Sequence, residues 1–215
     1  MKPTQAPLNS YDSVENGRLA DIYRAAARII CEKGYDATSM NDIAEAIGLT
    51  KAGVYHYVPG KKDLLFRIMN FGLDLLDREV IAPARAVPDP EDRLRTIIGN
   101  HVRLITGYST AQGNNPITIV VDEVAGLIPE HRTLINRRKR TYIDLIRDTL
   151  RELRDKGKLK EVDVTTATFS LLGMILWLSR WYHPDGRLAP EQIAEETTKI
   201  ALGGLLRNSC DTRPE

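Results

Sequence analysis

The stretch from Met40 to Pro59 holds the residues with the most chemistry to offer: Thr50, Lys51, Ala52 and Gly53 in succession, then Tyr55, His56 and Tyr57, with Lys61 just beyond. Small side chains at the start of a helix let its backbone approach base edges closely. The open N–H groups there, joined by a threonine hydroxyl, favour phosphate oxygens. Tyr55, Tyr57 and Lys61 suit a grip on the sugar-phosphate backbone, Lys51 and His56 suit base readout in a major groove, and Ser39 joins the set from the head of the preceding segment. Double-stranded DNA is the partner this face predicts. The competing reading is a helical interaction module, or a small-molecule-binding protein without operator binding, because a packing hairpin can share the same short-helix, glycine, short-helix pattern.

For these side chains to act together, two short helices must meet at a sharp corner. Gly48-Leu49-Thr50 has the length and turn chemistry of a helix-turn-helix joint. Gly48 can take the positive φ such a corner requires. Ala44 is small where the helices cross, and Val54 with Ile43, Ile47 and Leu49 fills the angle between them. Ser39 and Asp42 have the spacing of a reciprocal cap for the first short helix, and Thr50 caps the second. A longer helix from about Arg18 to Lys33 precedes them, with Leu19, Ile22, Ala26, Ile29 and Ile30 on one stripe and Gly34 as its stop.

The 3.6-residue apolar period continues to the far end, which predicts an all-α chain of about nine helices. Lys61 to about Ile81 carries two apolar stripes and should end at Pro83, leaving the segment to Pro90 as a linker. Asp89 should cap a helix bearing Leu94, Ile97, Ile98, Val102 and Ile105. Ile117 to Leu127 reads as helical in spite of its β-branched content. A long helix opened by Pro129 should turn Leu134, Ile135, Tyr142, Leu145, Ile146, Thr149 and Leu153 inward and close at Gly157. Asp163 caps a helix to Tyr182 that is apolar nearly all round, and a last helix runs from Pro190 to about Arg207. The organisation expected is a disordered arm over 1–17, a helix-turn-helix head over 18–62, a helical body over 63–208 and a flexible tail over 209–215.

Composition removes several function classes. Lys and Arg number 30 against 29 Asp and Glu, a net charge of +1, so any nucleic-acid site must come from local clustering. The apolar run Leu171 to Leu178 is far shorter than the ~20 residues of a membrane span. The polar N-terminus has no apolar centre, which points to residence in the cytoplasm. Cys31 and Cys210 form no disulfide framework or metal spacing. No histidine lies three residues after a glutamate, and phosphate loop, dinucleotide fingerprint and nucleophile elbow are all absent from the sequence, so neither an enzyme nor a cofactor is expected. His101 shares the face of Leu94, Ile98 and Ile105 and reads as a core histidine before a ligand or metal contact.

The chain resembles the TetR family of bacterial transcriptional regulators over roughly residues 18–80. The motifs that carry the likeness are Gly34-Tyr35-Asp36-Ala37-Thr38-Ser39-Met40, Asp42-Ile43-Ala44, Gly48-Leu49-Thr50-Lys51-Ala52-Gly53-Val54-Tyr55-His56-Tyr57-Val58 and Lys61-Lys62-Asp63-Leu64-Leu65. Val58 stands where the family usually has phenylalanine, and Pro59-Gly60 replaces a commoner pair. The resemblance implies a homodimer, with a DNA-binding head on each subunit, a body that binds ligand and dimerises, and a four-helix interface made by the last two helices of each chain. It implies a repressor of a palindromic operator, released when a small molecule enters the body.

The effector residues expected to project inward are Phe71, Leu75, Ile105, Tyr108, Val120, Glu123, Tyr142, Ile146, Met174 and Trp177, a set dominated by apolar and aromatic groups as a ligand cavity requires. Arg180 joins them from the Ser179–Glu191 segment, which is similar to a subgroup tied to lipid, steroid-ring or fatty-acid degradation whose inducers are often acyl-CoA thioesters. Between Asn136 and Lys160 ten basic residues face four acidic ones, a surplus that would suit a CoA phosphate. The same residues would also make an ordinary solvated face with Arg140/Asp144, Asp144/Arg147, Asp148/Arg151 and Arg151/Asp155 pairs.

Overall fold

Eight helices make up the described part of the computed structural model, which covers residues 10–107, 119 and 124–207. They are α1 (Ser10–Lys33), α2 (Met40–Ala46), α3 (Lys51–Tyr57), α4 (Lys61–Leu76, prolonged by Asp77–Ile81 and Ala82–Arg85), α5 (Pro90–Gly107), α6 (Pro129–Asp155), α7 (Val164–Trp181) and α8 (Pro190–Leu205). The ends obey local chemistry. Gly34, Gly48 and Gly157 all take positive φ where helices stop or turn, and the Asp89 and Asp163 carboxylates accept from the open N–H groups of Glu91 and Thr166. Among the described residues the helix expected over 117–127 appears as helical Ile119 and a 3-10 turn at Val124–Gly126.

Two expected boundaries move. Residues 10–17 of the expected arm are helical and belong to α1. A polar segment gives no apolar stripe to announce a helix, yet extending an existing helix costs far less than starting one. Pro83 does not end α4. The backbone widens to a π-turn over Asp77–Ile81, in which the Ala82 N–H bonds the Asp77 carbonyl, and the helix continues to Arg85. Pro83 has no N–H for the Glu79 carbonyl four residues back, and the Asn100 side chain of α5 donates to that oxygen at 2.9 Å instead.

Two apolar cores result. One lies under α1, α2, α3 and the first half of α4, around Ile22, Ala26, Ile43, Val54, Val58 and Leu65, and it also takes in Ile119, Leu127 and Ile135 from further along the chain. The other surrounds α5, which packs against α6, α7, α8 and the π-turn and buries Leu94, Ile97, Ile98 and Val102 completely. Phe71 and Leu76 of α4 pack against both, so α4 is the shaft between head and body. At about 1.5–3 kcal/mol for each large aliphatic side chain removed from water, these contacts supply the main drive for folding. Arg138 of α6 fastens the shaft from the side, donating to Asn70 Oδ1 at 2.9 Å, Asp74 at 2.7 Å and Asp77 at 2.6 Å.

Leu134 is not inward: it is an exposed residue of α6, whereas Ile135, Tyr142, Ile146, Thr149 and Leu153 are buried as expected and Leu145 is half-buried. Leu134 lies one position before the Ile135, Tyr142 and Ile146 stripe, too far round the helix to reach the core. His101 and Tyr142 are buried together, with the Tyr142 hydroxyl 2.8 Å from His101 Nδ1. Burial lowers the His101 pKa from 6.5 to about 4 and pushes that of Tyr142 up. The unfolded chain therefore binds a proton near pH 6.5 that the folded chain refuses until near pH 4, and stability is lost as pH falls through that window, by roughly 3 kcal/mol in full. The urea midpoint should drop between about pH 7 and about pH 4.5, and the drop should shrink in His101→Gln, which keeps a hydrogen-bonding side chain but has nothing to titrate.

Candidate nucleic-acid interface

The outer face of the head is assembled by two interlocked caps. The Ser39 hydroxyl accepts from the Asp42 N–H at 3.2 Å, while the Asp42 carboxylate accepts from the Ser39 N–H at 2.7 Å and its hydroxyl at 2.6 Å. These two bonds from Ser39, with Lys33 3.1 Å away, hold the Asp42 carboxyl down at about 2, so the cap is charged at any physiological pH. The Leu49 N–H then bonds the Ala44 carbonyl across the corner, and the Thr50 hydroxyl accepts from the Gly53 N–H at 3.0 Å to open α3. A Cβ on Gly53 would lie 3.3 Å from that hydroxyl, so the small residue protects the cap as well as the approach to bases.

Val54 is completely buried beneath α3 and sets its rotation. Ser39, Thr50, Lys51, Ala52, Tyr55 and His56 consequently stand exposed on the outer side, with Gly53, Tyr57 and Lys61 half-buried at the edge. The His56 and Tyr57 rings meet edge to face at 5.5 Å. Helix α4 has Gly60 at its cap position and no side-chain cap, so its first N–H groups remain available beside Lys61. Lys61 itself is held: its ammonium donates to the Asp36 carbonyl at 3.2 Å and lies 4.3 Å over the Tyr35 ring. Of the residues expected to touch DNA, most are thus exposed, and Lys61 is held in place at the start of α4.

The effector residues divide. Leu75, Ile105, Tyr142 and Ile146 line the body core, Met174 packs at its edge, and Phe71 sits at the junction with the head. Tyr108, Val120 and Glu123 lie outside the described residues. Trp177 is not inward: it is 65% exposed, and Arg180 is exposed on the same side of α7. The reason is angular, since Leu171, Leu172, Ile175 and Leu178 already occupy the core side of α7 and Trp177 falls opposite them. Phe169 and Trp181 of α7 and Ile200 of α8 are exposed apolar side chains as well. Of the ten basic residues between 136 and 160, Arg138, Arg147, Arg151, Arg154 and Lys158 pair with carboxylates and Lys160 donates to the Gly203 carbonyl. Asp144 pairs with Arg147 rather than Arg140, and Arg154 rather than Arg151 takes Asp155.

The sequence does not announce three joints: Arg138, which ties α6 to the shaft, and Gly126 and the stack of His131 on Phe66 at 3.8 Å, which bring the body against the head core. Their partners lie far away along the chain, and no local spacing signals them.

Residues 22–68 match the family described as bacterial regulatory proteins, tetR family, and residues 87–205 match the tetracyclin repressor-like C-terminal domain. The HTH-type transcriptional repressor KstR2 of Rhodococcus jostii (strain RHA1) is 27% identical over 206 residues, 90% of this chain and 93% of its own. The crystal structure of AibR in complex with isovaleryl coenzyme A and operator DNA is 38% identical, with a TM-score of 0.74 over 85% of this chain and 97% of its own. The ketosteroid transcriptional regulator KstR2 of Mycobacterium tuberculosis has the same fold, with a TM-score of 0.80 over 96% of this chain and 100% of its own at 21% identity.

Proposed function

The chain belongs to the TetR family of bacterial regulatory proteins, a ligand-responsive DNA-binding repressor rather than an enzyme, and from that premise we propose that its effector is an acyl-CoA thioester. The observation that carries this reading is the likeness to AibR, which was captured with isovaleryl coenzyme A and operator DNA together. The chemistry of the body agrees with it. Leu75, Ile105 and Ile146 offer an apolar lining for an acyl chain, with Phe71 and Met174 at its margins. Arg137 and Arg140, three residues apart on exposed α6 and outside every ion pair named above, suit the phosphates of the nucleotide portion.

In this reading α3 enters the major groove, with Lys51 and His56 reading bases. Ser39, Thr50, Tyr55, Tyr57, Lys61 and the open start of α4 hold phosphates, while Ala52 and Gly53 allow the close approach. Members of the family act as dimers, and we assign the dimer contact to the outward surface of α7 and α8, where Phe169, Trp177, Trp181 and Ile200 await cover.

The test is a panel of isovaleryl-CoA, longer straight-chain thioesters, steroid-ring thioesters and free CoA. A true effector at a hundredfold over its Kd should stabilise the protein by about 2.7 kcal/mol and weaken operator binding in the same concentration range. Arg137→Ala with Arg140→Ala should weaken the thioester by about tenfold or more and leave DNA affinity alone. If no CoA thioester moves either thermal stability or DNA affinity, the effector class is wrong.

A further inference from the structure

Among the described residues, the turn before α6 is one of the places where the body meets the head. Gly126 ends the 3-10 turn that precedes α6, and a Cβ built there would come within 2.8 Å of Tyr35 Cε1 and 2.9 Å of Leu65 Cδ2. Neither neighbour can give way easily, because Tyr35 is buried and Leu65 is completely so. Ile119 and Leu127, on either side of Gly126 in sequence, are both buried in the head core. The same Tyr35 ring carries the Lys61 ammonium at 4.3 Å, and the adjoining Asp36 carbonyl accepts from that ammonium at 3.2 Å. One aromatic ring therefore lies against Gly126 of the body and beneath the Lys61 ammonium of α4.

We propose that Tyr35 is a positioning residue for operator binding: Gly126 sets the place of its ring, and the ring sets the place of the Lys61 ammonium at the phosphate backbone. The proposal rests on the assignment of Lys61 to a phosphate, made above. Its physical content is that a shift of the Val124–Gly126 turn moves the Tyr35 ring, since the contact leaves no space for even a methyl group. Lys61 follows, because the ring and the Asp36 carbonyl are what hold a long, flexible side chain in one direction. The chain thus has a short route from the body to the Lys61 side chain through one aromatic ring.

The test is a salt titration of operator binding by the full-length protein and its variants. A symmetric dimer presents two Lys61 side chains, so Lys61→Ala should reduce the slope of log K against log salt by about two. Gly126→Ala and Tyr35→Leu should each reproduce that flattening and lose about tenfold in affinity at low salt. Tyr35→Phe, which keeps the ring face, should bind as the parent does. Adding Lys61→Ala to Gly126→Ala or to Tyr35→Leu should then cost nothing more. An unchanged slope in Lys61→Ala overturns the phosphate assignment itself. A flattened slope in Lys61→Ala with parental binding by folded Gly126→Ala, or with losses that simply add, overturns the relay alone. Should Gly126→Ala fail to fold, the Tyr35→Leu and Tyr35→Phe pair decides the matter by the same comparison.

Discussion

Replacing Trp177 by glutamate should give a folded monomer that has lost at least about a hundredfold in operator affinity. Trp177 is 65% exposed on its own subunit, so the substitution disturbs no intramolecular core. In a two-fold contact the change occurs on both sides of the axis, and the two carboxylates would be buried without partners. Losing the dimer removes the second half-site as an intramolecular partner, and linked binding of this kind is commonly worth a factor of about 10²–10⁴. Light scattering for mass, circular dichroism for helix content and fluorescence anisotropy with an operator duplex would measure the three parts separately. A Trp177→Glu protein that remains dimeric would move the interface away from α7 and α8.

The second large effect concerns sequence preference. Lys51→Ala and His56→Ala should change which base is favoured at one position of each half-site, by about 1–3 kcal/mol of discrimination, and should leave other positions as they were. Both side chains are exposed on α3, whose rotation is fixed by buried Val54 beneath it and by the Thr50 cap at its start. A phosphate contact behaves differently, weakening every sequence alike. Binding to a randomised operator library, before and after each substitution, separates the two. A uniform loss for Lys51→Ala, with the preference unchanged, would transfer that residue to the backbone contacts.

The head was legible in the sequence because everything that shapes it is local. Ser39 with Asp42, Gly48, and Thr50 with Gly53 each act within a few residues, so their spacing already contains the corner and the direction of α3. The buried stripes of α5 and α6 were legible for the same reason, since they follow the helical period. What escaped depends on partners elsewhere in the chain. Pro83 looks like a helix end until Asn100 of α5 supplies a donor for the Glu79 carbonyl. Trp177 looks like cavity lining until the packing of α7 on α5 and α6 turns it outward. Arg138, one of ten basic residues in its segment, gains its meaning only from Asn70, Asp74 and Asp77 on α4.

Footprinting on the promoter region of the protein's own gene at low and at raised salt, with a measured protein-to-DNA ratio, decides whether the protein is a dimeric, effector-released operator binder. Two subunits should occupy a palindromic site with half-sites about one helical turn apart, with binding that falls steeply with salt and release by an acyl-CoA thioester. A protein that stays monomeric in solution and protects no site at low salt would contradict this assignment.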